Sequence, residues 1–306
     1  MASAISPREG GSTAAGGEGG RLRAPGGGGW RRFLGYAVLI FYALVFILPF
    51  VVVLASSFKT LPDIQANPVQ LWADPEYGGW TLDGVRGLNT ESVRIPRWFL
   101  NSTVVTVIAT LGRVFLASMA GYALAKMSYP GKQILFALII VLLAVPGVVL
   151  LIPKFLILKQ LGLLNTYAGL ILPLMFDAFA IFLMKQFFEQ LPDELIEAAA
   201  IDGATAWQTF SRVMLPLAAP GLIALTILSV QGIWNEFLHP LIAVPGAPEL
   251  ATLPLGLANL RASFGQAQPW NTILAGTLIT TIPIAIVFFT FQRYFQQGVA
   301  ATGVKG

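Results

Sequence analysis

The sequence predicts an all-α membrane protein with six transmembrane helices. Three observations lead there. Of its 306 residues, 56% are hydrophobic and only 11% are charged, against about 25% charged in an ordinary soluble domain. Six apolar segments reach the roughly 20 residues that a helix needs to cross the hydrocarbon core. The charges gather in the stretches between those segments.

The elements follow in chain order. In residues 1–29, half of positions 10–29 are glycine. Such a tail cannot bury enough surface to offset chain entropy, so it is expected to be disordered. It has no short apolar core with a cleavage site, so it is a poor signal peptide. Arg21, Arg23, Arg31 and Arg32 close it. The spans are expected at 33–56, 100–124, 134–157, 167–187, 213–234 and 272–291. The third carries Pro146 and Pro153, which free backbone carbonyls, so it should bend and line the cavity. Six spans put both termini on one side. With that side cytoplasmic, eleven Lys and Arg fall inside and seven outside, the asymmetry a bilayer requires. Residues 59–99 and 236–270 then form long structured loops outside, as connectors or as a docking surface.

Other classes fall away. The net charge of +4 is spread over tails and loops with no aromatic-basic cluster, so nucleic acid is not a partner. The chain has no cysteine and one histidine, His239, so neither disulfides nor a metal site is expected. No Gly-rich loop ending in Gly-Lys-Ser/Thr occurs, so any ATP must be hydrolysed by another chain.

The segment 192–216 is polar, yet it lies between two apolar spans. Pro192 suits a first helical turn. Leu195, Ala198, Ala199 and Asp202 recur at helical spacing. Gly203 can take the left-handed conformation that ends a helix. Thr205 is a fair N-cap for a second helix carrying Trp207, Phe210, Val213 and Met214, before Pro216. A plain connector needs two to eight residues. A rigid amphipathic knob with three successive alanines suits a groove in a partner.

"EAAAIDGATAWQTFSRVMLPLAAP" resembles the EAA loop of bacterial ABC-importer permeases, with Val213 in place of the usual isoleucine. "QRYFQQGVAATGVKG" at 292–306 resembles the C-terminus of the carbohydrate group, the maltose permease MalG type. "AGYALAKMSYPGK" at 120–132 and "GIWNEFLHPL" at 232–241 add to the likeness. The resemblance implies the type I ABC importer permease fold, in a multi-pass protein of the bacterial cytoplasmic (inner) membrane with cytoplasmic termini. The likeness covers the chain from about Phe33 to its end, so the expected domains are the Gly-rich tail at 1–29, which has no counterpart in the family, a permease domain at 30–295 and a C-terminal tail at 296–306. It implies a non-catalytic translocation subunit that takes up a sugar, most naturally a di- or oligosaccharide. Its partners would be a homologous second permease (MalF type), two ATPase subunits (MalK type) and an external sugar-binding protein. This chain binds no cofactor; ATP and Mg belong to the ATPases. Coupling would fall to Glu197, Ala198, Ala199, Asp202, Gly203, Arg212, Leu215 and Pro216. The tail residues Gln292, Arg293, Gly298, Gly303 and Lys305 would reach the ATPases, the glycines suiting an extended tail that threads between them, or the tail is simply a frayed end.

Two readings stay open at the residues. Gln231, Trp234, Asn235 and Glu236 offer polar and aromatic groups for a sugar path, or an interfacial Trp beside a helix cap. Arg113 and Asp177 are charges within spans, where a lone charge costs roughly 3 kcal/mol or more. Counted along their spans they lie at about 20 and 15 Å depth, so they pair or share a hydrated cavity, or each separately snorkels or faces the partner. The competing functions are an ion-coupled secondary transporter, which needs several intramembrane acids, and an intramembrane enzyme or scaffold.

Overall fold

The computed structural model describes residues 29–90, 93–263 and 269–303. Residues 1–28, including nearly all of the expected disordered tail, lie outside them, as does Lys305. Among the described residues there are helices and no strands beyond two isolated bridges, Lys59 with Trp80 and Asn89 with Arg94. Beside short helices such as Leu61–Ala66 and Asp83–Arg86, the main helices are α1 Gly29–Ser56, α2 Ile95–Lys126, α3 Lys132–Ala144, α4 Leu151–Gln160, α5 Tyr167–Met175, α6 Ala178–Glu189 and α7 Glu194–Ile201. They continue with α8 Ala206–Leu217, α9 Ala219–Trp234, α10 Leu238–Ala243, α11 Leu253–Ser263 and α12 Trp270–Gly303. Among the described residues four segments are long and apolar enough to cross a membrane, or six if two bent pairs each count as one.

The chain separates into two units, Met1–Pro49 and Phe50–Gly306. In the first, α1 exposes every described side chain up to Phe50. A helix apolar on all sides is stable that way only in lipid or against another apolar surface.

In the second unit α2 is the axis. At about 1.5 Å per residue its 32 residues exceed the hydrocarbon thickness. Trp98, Asn101, Ser102, Val105 and Ala109 form a buried stripe at the i, i+3, i+4 spacing of one helix face, and Ala117, Tyr122 and Leu124 are buried farther along. α5, α6 and α9 pack on it. Two separate cores result. The first joins Trp98, Val105 and Ala109 of α2 to Leu170 and Leu174 of α5, Ile233 and Trp234 of α9, and Leu253 and Leu255 of α11. The second joins Ala117 and Tyr122 of α2 to Met184 and Phe188 of α6, Phe210 and Met214 of α8, and Leu225 of α9. Near the second core a Cβ on Gly121 would lie 2.7 Å from the Cβ of Met184. Only glycine lets α2 and α6 approach so closely.

Three expected spans are interrupted, each for a local reason. The third bends by 101° between α3 and α4. Val145 before Pro146 is extended, because proline disfavours helix in the residue ahead of it. The fourth breaks after Pro173, where Phe176 is extended and Asp177 caps α6 by accepting from the Ala180 N–H at 2.7 Å. The fifth begins earlier than expected as α8 and turns by 77° into α9, with Pro216 and Pro220 flanking the turn. The sixth runs on: helical backbone continues through Gly298 to Gly303, so the tail expected to be extended is helical. No proline follows Pro283, and a single glycine weakens a helix by only about 1 kcal/mol.

The segment after α1 is ordered. Lys59 and Asp63 are fully buried and face each other at 3.7 Å. Asp63 also accepts from the Asp74 N–H at 3.0 Å and from Asn67 Nδ2 at 3.3 Å, which offsets part of the desolvation cost of a buried charge.

Candidate functional site

The polar loop folds as its spacing predicts. Asp193 opens α7, and Glu194 and Glu197 lie in its first turn, where carboxylates complement the positive end of the helix dipole. Gly203 has φ +76°. The Ala204 N–H donates to the Ala199 carbonyl at 2.9 Å and the Gly203 N–H to the Ala200 carbonyl at 3.1 Å. This is a Schellman closure around a left-handed residue. Two residues on, Thr205 and Gln208 form a reciprocal capping box that starts α8, satisfying donors that a helix start leaves orphaned. The result is a stiff elbow with no slack residue between its helices.

Its surface is small-sided. Glu197, Ala198, Ala200, Asp202 and Gly203 are exposed, while Ala199 is buried. Ile201 is 87% exposed and Trp207 55% exposed, large apolar surfaces in a segment otherwise carrying charge. A concavity of about 470 Å³ lies against the elbow, lined by Ala198, Ala199, Asp202, Gly203, Gln208 and Arg212 among others. Five of the eight residues expected to couple therefore share one hollow. Glu197 makes no side-chain bond among the described residues. Leu215 and Pro216 belong to the turn into α9. Residues 209–214 form a π-helix, which no sequence pattern announced. Such single turns are rare and recur at functional sites.

The expected sugar-path residues are divided. Trp234 is 4% exposed; its Nε1–H donates to the Thr280 carbonyl at 3.0 Å and its ring meets Phe99 edge-on at 5.6 Å. Glu236 accepts from the His239 N–H at 3.0 Å. Gln231 and Asn235 are exposed, with Asn235 Nδ2 donating to the Gln231 carbonyl at 2.8 Å. Trp234 and Glu236 thus serve packing and capping.

Arg113 and Asp177 meet the same break without meeting each other. Arg113 Nε donates to the Leu174 carbonyl at 2.8 Å, one of the acceptors freed where α5 ends. Asp177 caps α6. A cation at a helix C-terminus and a carboxylate at a helix N-terminus each suit the local dipole. No direct ion pair joins them among the described residues.

Sequence reasoning missed several ties. Asn101 is fully buried: its Nδ2 donates to the Glu249 and Ala251 carbonyls, both at 2.8 Å, and its Oδ1 accepts from Tyr167 at 2.6 Å. His239 is buried with Nε2 at 3.0 Å from the Gly169 carbonyl and its Nδ1 unpartnered. Taking Nε2–H as donor assigns the neutral tautomer. Burial holds the His239 imidazole below its ordinary value. Lys126, discussed below, is a third. The side chains of Gln292, Arg293 and the rest of the C-terminus lie outside the described side chains. Among the described residues no group of three His, Asp or Glu could hold a metal ion.

Comparison with known proteins agrees with this architecture. Residues 113–301 match the family described as binding-protein-dependent transport system inner membrane component. The arabinooligosaccharide transport permease AraQ of Halalkalibacterium halodurans is 36% identical over 90% of this chain and 96% of its own length. The diacetylchitobiose uptake permease NgcG of Streptomyces coelicolor is 34% identical over 86% of each chain. The sn-glycerol-3-phosphate permease UgpE of Escherichia coli is 31% identical over 88% of this chain and 96% of its own. A solved bacterial ABC transporter involved in importing the acidic polysaccharide alginate has a chain that superposes with TM-score 0.74 at 22% identity, over 87% of this chain and 96% of that one. The chain is therefore a member of the binding-protein-dependent transport system inner membrane component family, with the all-helical type I ABC importer permease fold.

Proposed function

We propose that this chain is the translocation subunit of an ATP-driven importer that takes up a di- or oligosaccharide in the bacterial cytoplasmic membrane. The observation that carries the reading is the elbow at α7–α8: a stiff, small-sided hollow beside exposed Ile201, tied to the spans by a buried core. Such a surface suits a rigid lever seated in another protein. The names of the relatives support the cargo class, since two of the three handle oligosaccharides.

In this reading both termini and the elbow are cytoplasmic, and α7 seats in a groove of an ATPase subunit. Glu197 pairs with a basic residue there, and Arg212 lines the rim. The backbone from Gln292 to Gly303 extends toward the ATPase pair, with Lys305 beyond it. A homologous second permease completes the pore, and an external sugar-binding protein delivers the cargo to the loops outside. ATP and Mg stay with the ATPases, and this chain does no chemistry of its own. Closure of the ATPases moves the elbow as one body and tips the spans between inward-open and outward-open.

The test is uptake of labelled oligosaccharide by vesicles holding the purified complex. Uptake should cease when the ATPase subunits are made inactive. Uptake sustained by an ion gradient alone would overturn the reading in favour of a secondary transporter.

A further inference from the structure

The coupling loop is gripped at both ends by a single helical turn of α2. We propose that this turn, Tyr122 with Lys126, is the clamp through which movement of the elbow enters the transmembrane bundle, with Lys126 as a positioning residue. The inference rests on the coupling role proposed above.

Lys126 is the last residue of α2 and its side chain is 5% exposed. Its Nζ donates to the Leu191 carbonyl at 2.6 Å and to the Asp193 carboxylate at 2.5 Å. Leu191 follows the end of α6 and Asp193 opens α7, so this one ammonium holds the entry to the loop. Tyr122 lies four residues earlier, hence on the same face of the helix. Its ring sits 5.2 Å from that of Phe210 and 5.6 Å from that of Phe188. Phe210 lies in the π-helix that leaves the elbow, so Tyr122 holds the exit. Among the described residues no other side-chain hydrogen bond or ion pair joins residues 192–209 to a span.

The choice of a lysine is informative. A buried ammonium is costly unless paired, and an apolar side chain would fill the same space without that demand. What lysine adds is direction. Asp193 is 75% exposed, so the Coulombic attraction is small. The bond to the Leu191 carbonyl, at the negative end of α6, is directional and sets where α7 begins relative to α2. Gly121 beside Tyr122 brings α2 against α6 at backbone distance, so the clamp sits where two spans are packed most closely. A displacement of α7 thus pulls α2 directly instead of passing first along the chain.

The experiment uses the complete complex in vesicles and reads sugar taken up per ATP hydrolysed. Lys126→Met keeps the stem and removes the ammonium. The complex should assemble in normal amount and hydrolyse ATP, with uptake per ATP down about ten-fold, the scale of losing charge-assisted hydrogen bonds. Lys126→Arg should return the ratio to within about two-fold, because a guanidinium can meet both acceptors. Asp193→Asn, at an exposed site that does not threaten folding, should lower the ratio by about three-fold, and it carries the test if Lys126→Met assembles poorly. An unchanged uptake-to-ATP ratio in both variants overturns the clamp. So does a fall in uptake that merely follows the yield of complex while the ratio holds. If wild-type uptake runs with inactive ATPase subunits, the coupling role itself has failed and takes the clamp with it. If wild type needs ATP and both variants keep the full ratio, the clamp alone is wrong.

Discussion

The two cores on α2 are built differently. The one around Trp98 is largely aliphatic and is crossed by polar ties between residues far apart in sequence: Asn101 to Ala251, the Leu253 N–H to Ser102 Oγ at 2.8 Å, and His239 to Gly169. The one around Tyr122 is aromatic and methionine-rich, with the Phe188 and Phe210 rings against Tyr122 and Met184 and Met214 in the same cluster. Hydrogen bonds to buried backbone fix a single geometry, whereas methionine and offset aromatic contacts adapt to small shifts. The division between the cores falls at Arg113 on α2 and at the Pro173–Asp177 break. The first core is built to keep its shape; in the coupling reading proposed above, the second is the part that lets α2 and the elbow shift together.

The largest way to break that contrast is Asn101→Leu. It leaves the Ala251 carbonyl and the Tyr167 hydroxyl without partners and the Glu249 carbonyl with Arg97 Nε alone at 3.3 Å, a loss of about 3 kcal/mol. Thermal unfolding of the purified complex should drop clearly, while complex that survives keeps its normal uptake per ATP. Gly203→Val acts the other way. A β-branched residue at a left-handed position costs about 2 kcal/mol, spent locally in the elbow. Its unfolding temperature should fall by less than that of Asn101→Leu, while uptake per ATP falls clearly because the elbow no longer holds its closed turn.

These two positions also mark what could be read in advance. The elbow was legible because its structure is local: Gly203 and Thr205 carry their own turn chemistry within a few residues. Six apolar segments were legible for the same reason, as was a bend at Pro146. Asn101 was not, because its carbonyl partners lie 148 and 150 residues away and Tyr167 lies 66 away, and only the folded chain brings them together. Trp234 reads equally as a sugar contact or as packing, and only the folded chain shows its ring buried against Phe99 and Thr280. Arg113 invited an acidic partner at matching depth; the carbonyl freed by the break after Pro173 could not be seen in the pattern. The π-helix at 209–214 leaves no periodic mark.

Two smaller effects sharpen the comparison. Trp234→Phe keeps the contact with Phe99 and loses the bond to Thr280, worth about 1 kcal/mol. Stability should fall slightly, with the apparent KM for the sugar unmoved; a KM rise without loss of stability would return Trp234 to the sugar path. The smallest concerns acid. The folded His239 is held below its ordinary value by burial, so the stability tied to its neutral form is present above about pH 6.5 and is lost as pH falls through the lowered folded value. Protonated Nδ1 would be a buried donor without an acceptor. Melting curves stepped downward from neutral pH should show this loss, and His239→Gln should flatten it.

The most direct measurement places a photo-reactive amino acid at Ile201, the most exposed apolar side chain of the elbow, in the assembled complex within its membrane. The account predicts a cross-link to an ATPase subunit whose yield changes when ATP binds. Cross-links to lipid or to this chain alone, with sugar uptake running normally, would contradict it.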